Sequence, residues 1–185
     1  MKIDVTMEIT PQMFTDSTKP ELSHLLGHLG THFDVMDKDF PLEYTERRGI
    51  VFDVSYVSDR DINSDDIDIK KVQPGTFVAF YTGFSDTEPY GTKRYFKEHP
   101  QLSVNLIDAL LEIGVSVIGL DFAGIRRGAE HIPTDKRAAD RNVFIIENLC
   151  GLKSVVETGS GFTAHTYPMN CTGMTGLPCR VIFEI

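Results

Sequence analysis

The 185-residue sequence predicts a single domain of mixed α/β class. Three observations carry that expectation. At the start, Met1, Ile3, Val5, Met7 and Ile9 alternate with Lys2, Asp4, Thr6 and Glu8, the period of a strand with one buried face. In the middle, a helical pattern from about Ser103 to Ile113 runs directly into the apolar stretch Val115 to Leu120. Near the end, two more strand patterns flank a glycine-rich turn.

In chain order, the N-terminal strand is followed by Pro20, Leu22, Leu25 and Leu26, which suit a short helix. Ile50 to Val54 reads as a second strand, and Asp59 to Asp68 as an acidic turn that opens a short helix. Thr76 to Tyr81 is a third strand, ending in Thr82-Gly83. The clearest helix follows: Ser103 can cap it, and Val104, Ile107, Leu110 and Leu111 recur at helical spacing. Gly114 then stands where a left-handed C-terminal residue belongs. The run Val115 to Leu120 is apolar almost throughout, as in a strand covered on both faces. A second helix, Thr134 to Arg141, leads into the strand Val143 to Ile146. Phe162 to Met169 and Cys179 to Ile185 are the closing strands.

The net charge is −9, so phosphate backbones and anionic lipid surfaces are repelled, and neither nucleic acid nor membrane is expected as a partner. No apolar run approaches the roughly 20 residues of a membrane helix. The alternating N-terminus does not resemble a signal peptide. Three cysteines, Cys150, Cys171 and Cys179, without C-x-x-C spacing argue against a disulfide framework. A cytoplasmic protein with free thiols is the expectation.

The chemistry concentrates in His28-Leu29-Gly30-Thr31-His32-Phe33-Asp34. Imidazole and carboxylate are ligands that Zn²⁺, Mn²⁺ and Fe²⁺ accept. A helix would bring His28 and His32 together but turn Asp34 away. A strand aligns all three on one face, yet separates the histidines by roughly 13 Å, too far for bonds of about 2.1 Å. The chain must bend between them, and Gly30 is the residue that permits it. The plain alternative is a polar, solvated strand face.

These residues resemble the putative cyclase family, the metal-dependent hydrolases that include bacterial kynurenine formamidase and isatin hydrolase. Its signature H-x-G-T-H-x-D is matched by His28, Gly30, Thr31, His32 and Asp34. Further ordered matches are Gly49 to Ser55, Tyr81-Thr82-Gly83, Gly119-Leu120-Asp121, Glu147-Asn148-Leu149, and Gly173 to Arg180. The resemblance implies a swivelling β/β/α fold, a homodimer or homotetramer, and hydrolysis of an amide or lactam C–N bond. It also marks three departures. Met36 replaces a proline, Lys38 replaces a histidine often regarded as a catalytic base, and Asp135 replaces a further metal-binding histidine. A first ion would rest firmly on His28, His32 and Asp34, and a second, weaker or absent, on Asp34, Asp135 and Glu147. His131 could supply the missing imidazole if its loop is rearranged.

The expected cofactor is a divalent ion, zinc or manganese, and the expected partner a small-molecule substrate, a cyclic amide or N-acyl compound, anionic or neutral. Glu147 is placed either as a proton carrier or as a residue that orients a ligand histidine. Lys38 would be a base only with a depressed pKa, and otherwise would hold an anionic substrate or lie in solvent. Arg126 and Arg127 could clamp a substrate carboxylate or form salt bridges. His24 and His165 are assigned to the surface or to a satisfied core position. Two other functions compete with the hydrolase. His32-x-Asp34 with His131 or His165 would suit a non-haem iron oxygenase, which expects an all-β barrel. With Lys38 and Asp135 in place, a metal- or ligand-binding protein without turnover is the other.

Overall fold

The computed structural model describes residues 1–17, 26–159 and 161–185. Its strands join in one sheet in the order β1 (Lys2–Asp4), β8 (Gly176–Glu184), β2 (His32–Asp34), β6 (Phe144–Glu147), β5 (Val117–Leu120), β4 (Phe77–Tyr81), β3 (Glu46–Asp53) and β7 (Gly161–Pro168). Because β7 also pairs with β8, all strands except β1 close into a barrel. Strands β3 to β6 run parallel, whereas β2 and β7 are antiparallel to both their neighbours. This is the mixed α/β domain of the sequence-based expectation, with its sheet closed.

Alternation along the parallel strands divides the apolar residues between two cores. Phe77, Ala79, Val117, Phe144 and Ile146 point inward and pack with Phe33, Phe162 and Phe183. Val78, Phe80, Ile118, Leu120 and Ile145 belong to the outer core, with Leu106, Ile107 and Leu110 of α4 (Val104–Ile113) and Ala138 of α5 (His131–Ala139). Burial on both faces explains why these strands read as continuous apolar runs. Inside, the Phe162 and Phe183 rings stack with centroids 3.7 Å apart, and Phe77 meets both edge-on. A Cβ on Gly119 would stand 2.6 Å from the Phe77 ring and 2.8 Å from Leu149, so the backbone there passes directly under packed side chains.

Helix α4 forms as its sequence predicts: Ser103 accepts a hydrogen bond from the Leu106 amide, and Gly114 ends the helix at φ 76°. Helix α5 starts three residues before the expected Thr134. Pro133 lies in its first turn, where a missing N–H removes no intrahelical bond, so the proline does not mark the boundary. The N-terminal strand is shorter than its alternation suggests. The starting residues of β8 are paired with β2, which leaves β1 only the segment Ile182 to Glu184. At Thr6 the chain leaves the ladder, its hydroxyl exchanging hydrogen bonds with Val181.

Helix α1 (Pro11–Ser17) and the short helices α2 (Phe84–Thr87), α3 (Lys93–Lys97) and α6 (Leu152–Glu157) were not expected. One or two turns carry too little periodicity to be seen. The acidic turn contains a 3-10 turn at Ser64–Asp66, held by the Asp66 carboxylate on the Asn63 amide. Of the helix expected at Pro20, Leu22, Leu25 and Leu26, all but Leu26 lie outside the described residues, and His24 with them. No helix among the described residues is long and apolar enough to cross a membrane.

Candidate metal centre

The polar groups gather on the outer flank of the barrel, between β2, β6 and α5. Phe33 and Ile146 face inward, so His32, Asp34 and Glu147 are turned out by the strand period. Gly30 is left-handed at φ 63°, and the bend there brings His28 back over β2. His28 Nδ1 lies 3.1 Å from His32 Nε2 and 2.9 Å from Asp34 Oδ1, and His32 Nε2 lies 3.5 Å from the same oxygen. Atoms bound to one ion at about 2.1 Å would be spaced much like this.

The other ring nitrogens are engaged. His28 Nε2 is 2.9 Å from Thr175 Oγ1, and His32 Nδ1 is 2.8 Å from the Gly30 carbonyl oxygen. A carbonyl only accepts, so His32 carries its proton on Nδ1 and turns Nε2 to the cluster. Gly176 allows the close packing: a Cβ there would stand 2.7 Å from the His28 ring.

A second group adjoins the first and shares Asp34 with it: Asp34, His131, Asp135 and Glu147. His131 and Asp135 are four residues apart on α5, and His131 Nε2 is 3.1 Å from Asp135 Oδ2 and 3.0 Å from Glu147 Oε1. The imidazole thus arrives one helical turn early, with no rearranged loop. Glu147 Oε2 faces His32 Nε2 at 3.7 Å.

Electrostatics follows from three carboxylates buried among three imidazoles. Burial alone would lower the His32 pKa, but Asp34 and Glu147 outweigh it and bring it up to about 9. His131 is likewise pushed up to about 11 by Asp135 and Glu147 against the effect of burial. Burial raises the Asp135 carboxyl to about 8, with the Asp34 and Glu147 charges adding to it. Glu147 is raised for similar reasons, whereas the histidines hold Asp34 well below the usual carboxylate range despite its burial. Such a cluster requires compensating positive charge.

Two buried oxygens here, Asp34 Oδ2 and Asp135 Oδ1, have no hydrogen-bond partner among the described residues. Buried polar atoms are rarely left so, and an ion between these carboxylates would satisfy them. Donor chemistry and orphaned oxygens both fit a divalent cation.

Other candidate residues lie elsewhere. Lys38 is not brought to the cluster: its Nζ is 2.8 Å from Asp140 Oδ1, beyond the end of α5. Arg126 is held by Asp61 at 2.5 Å and Glu130 at 2.6 Å, the salt-bridge alternative. The Arg127 amide is bound by Gln101, and His165 pairs with Glu184 at 3.0 Å on β7. Sequence reasoning missed the surroundings of Gly30. Tyr90 accepts from its amide, and Asn148 donates to its carbonyl.

A flank of histidines and carboxylates on a closed mixed barrel defines a protein able to hold divalent metal. The family model described as Putative cyclase matches residues 3–126, and the chain belongs to that family. A search of curated proteins found no match. Among solved structures, a potential metal-dependent hydrolase with cyclase activity shares 26% identity at a TM-score of 0.76, over 99% of this chain and 96% of that one. A predicted metal-dependent hydrolase from Bacillus stearothermophilus shares 24% at 0.75, over 99% and 97%. Isatin hydrolase A from Labrenzia aggregata, bound to benzyl benzoate, shares 17% at 0.78, over 99% and 93%. The mixed barrel also departs from the all-β architecture that the oxygenase reading requires.

Proposed function

We propose that this chain is a metal-dependent hydrolase that cleaves the C–N bond of a small amide, lactam or N-acyl substrate. One observation carries the reading: Asp34 is common to two adjoining ligand groups, with buried oxygens on Asp34 and Asp135 left unpartnered among the described residues. The hydrolase names of the similar structures support it.

His28, His32 and Asp34 would hold one ion, a donor set suited to zinc or manganese. Asp34, His131, Asp135 and Glu147 would hold the other, and three carboxylates favour a harder ion such as manganese. When bound, the ion supplies Lewis acidity, which lowers the pKa of water and polarises a carbonyl.

The chain's own residues manage position and protons. Asp34 stays ionised and faces both groups. With the first group alone loaded, Glu147, whose Oε2 faces His32 Nε2 at 3.7 Å, is placed to accept a proton from water and to deliver it to the departing nitrogen. In that state His131 Nε2, 3.0 Å from Glu147 Oε1, orients that carboxylate. With 34% of its side chain exposed, His131 also stands at the solvent side of the groove. Lys38 and Arg126, engaged in ion pairs, take no proton in this scheme.

The test is turnover of a panel of formamides, N-acyl amines and cyclic amides by zinc- or manganese-loaded protein. Loaded wild type is expected to hydrolyse at least one class, with chelator and Glu147→Gln each abolishing it. Failure to bind either metal would sink the reading. Tight binding without turnover across the panel would make the chain a metal-binding protein of this fold.

A further inference from the structure

Asn148 directly follows Glu147, has a left-handed φ of 60° and is 1% exposed. Asparagine enters that region more readily than most residues. The turn ends β6 so that the Glu147 carboxylate stays on the cluster while the next side chain passes beneath the Gly30 bend. There Asn148 Nδ2 donates to the Gly30 carbonyl at 2.8 Å, the same oxygen that accepts from His32 Nδ1.

The amide is itself oriented. Its Oδ1 accepts from the hydroxyl of Tyr95 at 3.0 Å, and Tyr95 is wholly buried. That bond fixes which end of the amide faces Gly30. The Asn148 carbonyl accepts from Thr31 Oγ1 at 2.7 Å, and Thr31 Oγ1 accepts from the Met7 amide at 2.8 Å. Tyr95 therefore reaches His32 through Asn148 and Gly30, along a chain of buried hydrogen bonds.

The geometry points to Asn148, oriented by Tyr95, as the positioning residue of the first metal group: it pins the Gly30 carbonyl that holds His32 with Nε2 toward the ion. The role rests on the metal reading of the groove. Neither residue touches the ion; both act through His32. Outer partners of this kind commonly change metal affinity by about 10–100-fold.

Asn148→Asp is the informative substitution. Aspartate tolerates the left-handed backbone and keeps an acceptor for Tyr95, but sets an acceptor against the Gly30 carbonyl in place of a donor. Tyr95→Phe keeps the ring and removes only the hydroxyl. Both are compared with the wild-type full chain by zinc titration and by ring ¹⁵N shifts of His32 in the zinc-loaded protein. We expect zinc affinity at the His28, His32 and Asp34 group to fall about 10–100-fold in Asn148→Asp and less in Tyr95→Phe. The single Nδ1-protonated signature of His32 should give way to a shifted or mixed one. A role confined to stability would leave that signature unchanged in folded protein. Folded Asn148→Asp with wild-type affinity and His32 shifts would overturn the proposal. Should Asn148→Asp fail to fold, the same result in Tyr95→Phe would overturn it. If wild type itself binds no zinc, the metal reading fails instead.

Discussion

His131 and Asp135 stand one turn apart on the same face of α5, with Nε2 of the first 3.1 Å from Oδ2 of the second. The resemblance places a metal-binding histidine at position 135. Here the imidazole comes from the preceding turn and a carboxylate takes the position itself, so the second group keeps a nitrogen donor. Metal stoichiometry tests this. Wild type should bind two equivalents of manganese after dialysis, by elemental analysis. His131→Ala and Asp135→Ala should each retain one. Asp34→Asn should lose both, and retention of one equivalent there would show that Asp34 is not shared.

Metal should also stabilise the fold, because its ligands come from β2, α5 and β6. A ligand at about 100 times its Kd contributes about 2.7 kcal/mol. For a chain of this size that is a rise in Tm of roughly 5–10 °C. A thermal scan with zinc, then with excess chelator, measures it, and an unmoved midpoint would contradict it.

His99 makes a separate pH-dependent contribution. Its ring is stacked on Phe122 and 2% exposed, and burial lowers its pKa from 6.5 to about 4. The unfolded chain therefore takes up the proton first as pH falls. The contribution is complete above about pH 6.5 and is lost between there and about pH 4, on the order of 3 kcal/mol in all. His99→Phe should remove it. The measurement is the difference between wild-type and variant urea midpoints at pH 7.5 and pH 5. A constant difference would show that His99 does not titrate with unfolding.

Gly119→Ala should destabilise the barrel by about 1–3 kcal/mol, since its methyl group meets Phe77 and Leu149 at 2.6 and 2.8 Å. Denaturant unfolding reads this directly, and an unchanged midpoint would mean that both side chains can withdraw.

Lys38→Ala should leave turnover near wild type, because Lys38 is paired with Asp140 outside the cluster. A loss of about 10²-fold or more, the usual size of general acid–base catalysis, would return Lys38 to the catalytic machinery.

How far the site was legible depends on where its constraints lie. His28, His32 and Asp34 could be read because Gly30 solves a local distance problem within seven residues. The helix from Ser103 to Gly114 was legible for the same reason, with cap, period and stop all adjacent. Pro133 hid the start of α5, and with it the pairing of His131 and Asp135. The left-handed turn at Asn148 has no local signal, since its partners Tyr95, Gly30 and Thr31 are distant in sequence. The same holds for barrel closure: the glycine-rich turn signals that β7 and β8 pair, but nothing near it announces that β7 will meet β3 and β8 will meet β2.

Strand β8 is the last of the described strands to be synthesised, and it alone joins β7 to β2. Until Gly176–Glu184 emerges from the ribosome, the nascent sheet carries two unsatisfied edges, and such edges invite pairing with other chains. His28 also waits for it, because Thr175 and Gly176 form the seat of its ring. Formation of the groove around His28 is therefore coupled to the same pairing that satisfies both sheet edges.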